Sequence, residues 1–101
     1  DAFAKRFTAR FGTAPTWLAP LGYDAAAAAI AMVRAARASG LSTAFDAAAI
    51  TDPAGYSGAT GALRFTPDGL NQRALAVLEV TSEGFLVVDP APAAPGGTAG
   101  L

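Results

Sequence analysis

The pattern of the chain changes from helical to extended at residues 55–69, which read GYSGATGALRFTPDG. From Leu63 to Thr66 apolar and polar residues alternate, which is typical of a strand with one buried face. The sequence Pro67-Asp68-Gly69 follows and is a strong turn signal, because proline presets its backbone angle and glycine accepts a left-handed conformation. With the helical patterns upstream, this stretch predicts an α/β chain in which three helices precede a three-stranded β segment.

The first predicted helix carries an aromatic stripe. Phe3, Phe7 and Phe11 recur every four residues, so they share one face, and Gly12 is placed to end the helix. Such a stripe usually packs into a core, although it also suits a partner-binding face.

The second predicted helix begins at about Leu21 or Asp24 and continues to Ser39. Asp24 is expected to act as a cap or as an acid in the first turn, where a carboxylate favours the helix dipole. Gly40 suits the left-handed stop.

A short third helix is predicted at residues 47–50. Thr43 and Asp46 stand before it at the spacing of a capping box, and Asp52-Pro53 ends it.

Two further strands complete the predicted β segment. Residues 74–80 are apolar on both faces except for Glu79, which predicts a strand covered on both sides, and Phe85 to Val88 form the last strand. Proline, glycine and alanine dominate residues 90–101, which are predicted to be a disordered tail, so residues 1–89 form the folded part.

Composition excludes several classes of function. The net charge of −1 gives no field that would attract nucleic acid, so no such partner is expected. The longest apolar run, Ala25 to Val33, is well short of the roughly 20 residues of a membrane span, so none is expected. Cysteine and histidine are absent, which removes thiol nucleophiles, the commonest general base and the commonest metal ligands. We therefore expect no enzyme, no metal site and no cofactor.

Two weak motifs have ordinary explanations. The glycine-rich residues 55–61 lack the lysine of a phosphate-binding loop and precede a strand, so a structural turn is the better interpretation. A carboxylate pair or a calcium site is the alternative for four aspartates, but each is expected to serve locally as a cap or turn former: Asp24, Asp46, Asp52 and Asp68.

The order of these segments resembles the last third of the leucine/isoleucine/valine-binding family of type I periplasmic solute-binding proteins. The resemblance covers residues 3–89 and lies in the irregular residues 15–20, the helix start Leu21-Gly22-Tyr23-Asp24-Ala25 and the glycine-rich stretch through Gly69. Residues 73–80, with Val87-Val88-Asp89-Pro90, look closest to the branch of penicillin-binding-protein activators.

The resemblance implies that the chain is the C-terminal part of a two-lobed periplasmic domain. Such a domain holds a small polar organic solute, such as an amino acid, in the cleft between its lobes, for ABC import or sensing. The alternative is an envelope interaction protein that activates a penicillin-binding protein. The expected partners are the remainder of the same domain or a second copy, a small-molecule ligand, and an ABC permease or a penicillin-binding protein.

By position, the resemblance assigns the ligand site to Trp17, Leu18 and Tyr23. Aromatic side chains with polar tips beside a helix start can line a cleft, and the Tyr23 hydroxyl can hydrogen-bond a ligand. These residues supply an apolar wall but no charge. The competing interpretation is that Trp17 and Leu18 seal the core.

Overall fold

The computed structural model describes residues 2–94, and the fold is mixed α/β. Three helices come first, α1 (Ala2–Phe11), α2 (Ala19–Ala38) and α3 (Ala47–Ile50). They are followed by the strands β1 (Tyr56–Gly58), β2 (Gly61–Phe65), β3 (Asn71–Arg73), β4 (Val77–Thr81) and β5 (Gly84–Asp89), so the predicted three helices are confirmed and the predicted three-stranded β segment is wrong. Of the predicted tail, residues 90–94 have no regular secondary structure, and residues 95–101 lie outside the described residues.

The chain divides into two compact units. Within the described residues, unit 1 comprises residues 2–44 and 58–60, and unit 2 comprises residues 45–57 and 61–94. Unit 1 therefore contains α1, α2 and the short loop segment that follows Ser57.

The core of unit 1 lies along one face of α2. Its buried residues Asp24, Ala28, Met32 and Ala36 are spaced four apart, so they form one row along the helix. Three of the four side chains are apolar, and two of these are single methyl groups, which leaves a thin core and allows other segments to approach the helix closely.

The start of α2 differs from the prediction. The helix begins at Ala19, five residues before Asp24, and Leu18 occupies the cap position without a side-chain hydrogen bond. Pro20 in the first turn explains the early start, because its fixed backbone angle suits that turn and it has no N–H group to leave unpaired. The predicted role of Asp24 as a cap or as an acid of the first turn is therefore wrong.

The glycine stops of both long helices are confirmed. Gly12 has a φ of +74° directly after α1, and Gly40 has a φ of +67° after α2. Beyond Gly40, the N–H of Leu41 donates to the carbonyl of Ala36 at 2.9 Å, which closes the last turn of α2.

Asp46 is itself the N-cap of α3. Its carboxyl accepts a hydrogen bond from the N–H of Ala49 at 2.7 Å. The predicted helix at residues 47–50 is confirmed, but the capping-box assignment with Thr43 as the cap is wrong, because the aspartate occupies that position.

Strands β1, β2 and β3 form one sheet in that order. In the antiparallel pair of β2 and β3, Leu63 lies opposite Arg73 and Phe65 lies opposite Asn71. The predicted turn at Pro67-Asp68-Gly69 joins these strands, with the N–H of Thr66 donating to the carbonyl of Leu70 at 2.8 Å. The buried side chains of this sheet region are Ala62, Leu63 and Ala74.

Strands β4 and β5 form a separate antiparallel hairpin. Every residue of β4 is exposed, as is β5 up to Val88, so the prediction of a strand covered on both sides is wrong for the described residues. The strand is also shorter than predicted, since residues 74–76 lie outside it. The apolar sequence of β4 indicates that burial of both its faces would be favourable. Among the described residues, however, β4 pairs only with β5, which leaves both faces exposed.

Candidate ligand-binding groove

Four aromatic rings lie in contact in unit 1. On α1 the ring centroids of Phe3 and Phe7 are 5.8 Å apart, and those of Phe7 and Phe11 are 4.7 Å apart. Tyr23, in the second turn of α2, meets Phe3 edge-on at 5.3 Å. The four-residue spacing on α1 brings its three rings together, and the early start of α2 places Tyr23 beside them.

These rings line an open groove of about 240 Å³. Phe3 is buried at its base, whereas Phe11 and Tyr23 remain more than half exposed. Ligand pockets for drug-sized molecules start at about 300 Å³, so this groove suits a molecule of one ring or a short alkyl chain. We call it the aromatic groove, and its lining residues are Phe3, Arg6, Phe7, Arg10, Phe11, Ala19 and Tyr23.

Two arginines are the charged part of this lining. Arg6 and Arg10 are four residues apart, so they form a cationic row beside the phenylalanine row on α1. The guanidinium carbon of Arg10 lies 5.6 Å from the ring centroid of Phe11, as in a cation–π contact. Within residues 2–94 neither guanidinium forms an ion pair, and no acidic side chain lines the groove.

Of the three residues predicted as ligand contacts, one lines the aromatic groove and two lie outside its lining. Tyr23 lines the aromatic groove and is 51% exposed. Trp17 and Leu18 lie in the turn just before α2 and are 77% and 55% exposed, outside the groove lining. Neither side chain fills the core of unit 1 in this structure, so the competing core interpretation is wrong for the described chain. Their role as ligand contacts stays a prediction.

The arginine row was not predicted from the sequence, and the expectation that the aromatic stripe packs into the core is only partly correct. Of the three phenylalanines only Phe3 is buried, so the stripe is mostly a groove wall rather than core. The four-residue spacing of Arg6 and Arg10 beside this stripe was the available signal.

The glycine-rich loop after α3 binds a carboxyl group of its own unit. The backbone N–H groups of Ala59 and Thr60 donate to Asp24 at 2.6 and 2.9 Å, and the Thr60 hydroxyl donates to the same side chain. Asp24 is only 2% exposed, and the Cα of Gly58 lies so close that a Cβ there would be 2.4 Å from the Asp24 carboxyl carbon. We call this arrangement the Asp24 clamp. Because Asp24 already occupies these backbone donors, they are not free to hold a phosphate.

The other three aspartates of the hypothetical cation site have the predicted local roles. Asp46 caps α3, and Asp52 accepts a hydrogen bond from the N–H of Ala54 at 2.9 Å. Asp68 accepts one from the Thr66 hydroxyl, which lowers the pKa of that carboxyl. Throughout residues 2–94 there is no group of three or more aspartate or glutamate side chains that could hold a metal ion. In the same part of the chain no helix is both long and apolar enough to cross a bilayer.

No protein-family profile, curated protein or solved structure was found to match this chain. The resemblance to solute-binding proteins therefore stays a prediction.

Proposed function

We propose that this chain is a non-catalytic binding module whose aromatic groove holds a small organic solute. The observation that carries the proposal is the set of four touching aromatic rings that stay open to water on one side. Removal of apolar surface from water is favourable, and a solute with an apolar body would bury the exposed ring surface of the groove.

The chemistry of the groove favours binding over catalysis. The charged groups of its described lining are two guanidinium ions, which are hydrogen-bond donors without an acceptor atom and so suit the binding of an anion. The sequence supplies no histidine or cysteine to act as a general base or nucleophile. The resemblance to periplasmic solute-binding proteins supports the same function, together with a periplasmic location and a role in ABC import or sensing.

The proposal is tested by isothermal calorimetry of this chain against a panel of amino acids, monocarboxylic acids and sugars. Phe7→Ala should weaken binding of a ligand found in this way by about 1–2 kcal/mol, because it removes the middle ring of the groove wall. The matched control is Phe85→Ala, which removes a ring that is 76% exposed in β5 of unit 2 and should leave the affinity unchanged.

Trp17 and Tyr23 are tested with the same ligand. If the predicted contacts hold, Trp17→Ala and Tyr23→Phe each weaken binding by about 1 kcal/mol while the melting temperature stays nearly constant. Absence of binding by every compound at millimolar concentration would contradict the proposed function.

A second candidate function is supported by the β4–β5 hairpin. Its apolar side chains are exposed on both faces, including Val80 and Phe85, which lie opposite each other. Contiguous exposed apolar patches often mark protein contacts. The second candidate is therefore an interaction protein, in which the hairpin is covered by the remainder of its own domain, by a second copy or by a penicillin-binding protein. Sedimentation of the chain at increasing concentration, alone and with a purified penicillin-binding protein, tests this candidate. Val80→Lys should abolish any association seen.

A further inference from the structure

The polar groups around the aromatic groove restrict the solutes that it can take. The row of Arg6 and Arg10 runs alongside the row of Phe3, Phe7 and Phe11, so a molecule lying along α1 meets rings on one side and positive charge on the other. No described residue of the lining carries a negative charge. A zwitterionic ligand would therefore bring an ammonium group next to two guanidinium ions, with no carboxylate among the described lining residues to pair with it.

We propose that the solute is a small carboxylic acid with an aromatic or alkyl body and without an ammonium group. Its body packs against Phe7 and Tyr23, and its carboxylate accepts hydrogen bonds from Arg6 and Arg10. This inference rests on the proposed function and narrows it, because the amino acids expected from the sequence are not the ligands that the groove favours.

The contact between Arg10 and Phe11 is compatible with this role. The guanidinium carbon of Arg10 lies 5.6 Å from the centroid of the Phe11 ring. A guanidinium ion over a ring is attracted to the face of the ring, and its in-plane N–H donors can still bind an acceptor. Stacking also limits the freedom of the side chain, so less entropy is lost when the N–H groups bind a carboxylate.

The experiment compares four probes that share one body: 3-phenylpropionate, 3-phenylpropanol, 3-phenylpropylamine and phenylalanine. Calorimetry of the unmodified chain should give an affinity for 3-phenylpropionate about tenfold above that for the alcohol, since charge-assisted hydrogen bonds are the stronger ones. Phenylalanine should bind no better than the alcohol, and the amine should bind most weakly. The preference for 3-phenylpropionate should shrink as sodium chloride is raised, because the contact is partly exposed.

Charge-removing variants locate the contact. Arg6→Gln and Arg10→Gln should each lower the affinity for 3-phenylpropionate about three- to tenfold and leave that for 3-phenylpropanol unchanged. Lys5→Gln is the matched control, because it removes the same charge from the same helix at an exposed residue outside the groove lining. Circular dichroism of each variant verifies that α1 and α2 remain folded.

The possible results separate this inference from the proposed function. Equal affinities for all four probes would overturn the carboxylate inference and leave the proposed binding function intact. An equal loss of affinity for 3-phenylpropionate in Lys5→Gln and Arg6→Gln would do the same. Tighter binding of phenylalanine than of 3-phenylpropionate would overturn it in favour of amino acids. Binding of none of the four probes would overturn the carboxylate inference, whereas the proposed function fails only if every compound of the wider panel also fails to bind.

Discussion

The Asp24 clamp predicts that a methyl group at residue 58 is costly only while Asp24 is present. In Gly58→Ala the new Cβ would lie 2.4 Å from the carboxyl carbon and from Oδ1 of Asp24, and 2.6 Å from Oδ2. The carboxyl cannot simply turn away, because the N–H groups of Ala59 and Thr60 and the Thr60 hydroxyl all donate to it. Accommodation of the methyl group must therefore break or distort hydrogen bonds.

The size of the effect follows from the bonds involved. A hydrogen bond to a charged group contributes about 1.5–3 kcal/mol, so loss of one bond and distortion of a second should lower the free energy of unfolding by about 2–4 kcal/mol. The reduced freedom of the unfolded chain on replacing glycine offsets only about 0.4–1 kcal/mol. Asp24→Ala alone should cost about 3–5 kcal/mol, because it leaves the donors of residues 59 and 60 unpaired.

The two substitutions are combined in a double-mutant cycle measured by urea unfolding and far-ultraviolet circular dichroism. In the Asp24→Ala background the methyl group at residue 58 meets no carboxyl, so Gly58→Ala should be neutral or stabilising by up to about 1 kcal/mol. The expected coupling free energy is therefore about 2–4 kcal/mol. If Gly58→Ala cost the same in both backgrounds, the close approach of Gly58 and Asp24 would not be the cause and the clamp as described would be refuted.

Three further predictions concern single positions. Gly22 lies inside α2 with open space around it, so Gly22→Ala should raise the free energy of unfolding by about 0.5–1 kcal/mol. Gly40 has a φ of +67°, which disfavours a side chain, so Gly40→Ala should lower the free energy of unfolding by about 1 kcal/mol. Equal shifts of the two variants in urea unfolding would contradict this contrast. Burial, and then the negative charge of Asp52, raises the pKa of Tyr56 above its ordinary 10.0. The neutral phenol therefore stabilises the folded chain fully below about pH 10, and this stability is lost as the pH rises through the raised pKa. Tyr56→Phe should therefore flatten the decline of the unfolding free energy above about pH 10, and a decline as steep as before would assign it to other groups. Trp17 is the only tryptophan, so its fluorescence should be quenched by acrylamide almost as efficiently in the folded chain as in urea, and strong protection would contradict its exposed position.

Local signals were sufficient for several parts of the fold. Gly12 and Gly40 end helices because glycine reaches positive φ at little cost, and the Pro67-Asp68-Gly69 turn follows from the same backbone preferences. These features depend on residues within a few positions of each other, so they can be recognised in the sequence.

Other parts depended on partners that are distant in the sequence. Asp24 is of a residue type that often caps helices and stands near the expected helix start. It instead accepts hydrogen bonds from residues 59 and 60, and no local sequence pattern indicates that pairing. Strand β3 was missed because Asn71, Gln72 and Arg73 carry no apolar alternation, and it forms by pairing with β2. The exposure of β4 could not be predicted either, because the apolar pattern reports what a strand prefers and not which surfaces reach it.

The candidate site was predicted only in part, and for the same reason. Tyr23 was assigned to a ligand site by position and does line the aromatic groove, whereas Arg6 and Arg10 look like the solvated side of an amphipathic helix in the sequence. Their relation to the groove depends on how the rings of α1 pack against α2, since Tyr23 meets Phe3 only in the folded unit.

The Asp24 clamp also has a consequence for the order of events in folding. Its backbone hydrogen bonds join residues that are 35 and 36 positions apart in the chain. Bringing the ends of a flexible loop of this length together costs about 3 kcal/mol of chain entropy, whereas each turn of α2 closes over only four residues. We expect α2 to form first and the clamp last, so that loss of the clamp accelerates unfolding and leaves the folding rate almost unchanged. During synthesis from the N-terminus, Asp24 would then remain hydrated on a helix already formed, until residues 59 and 60 emerge and draw it out of water.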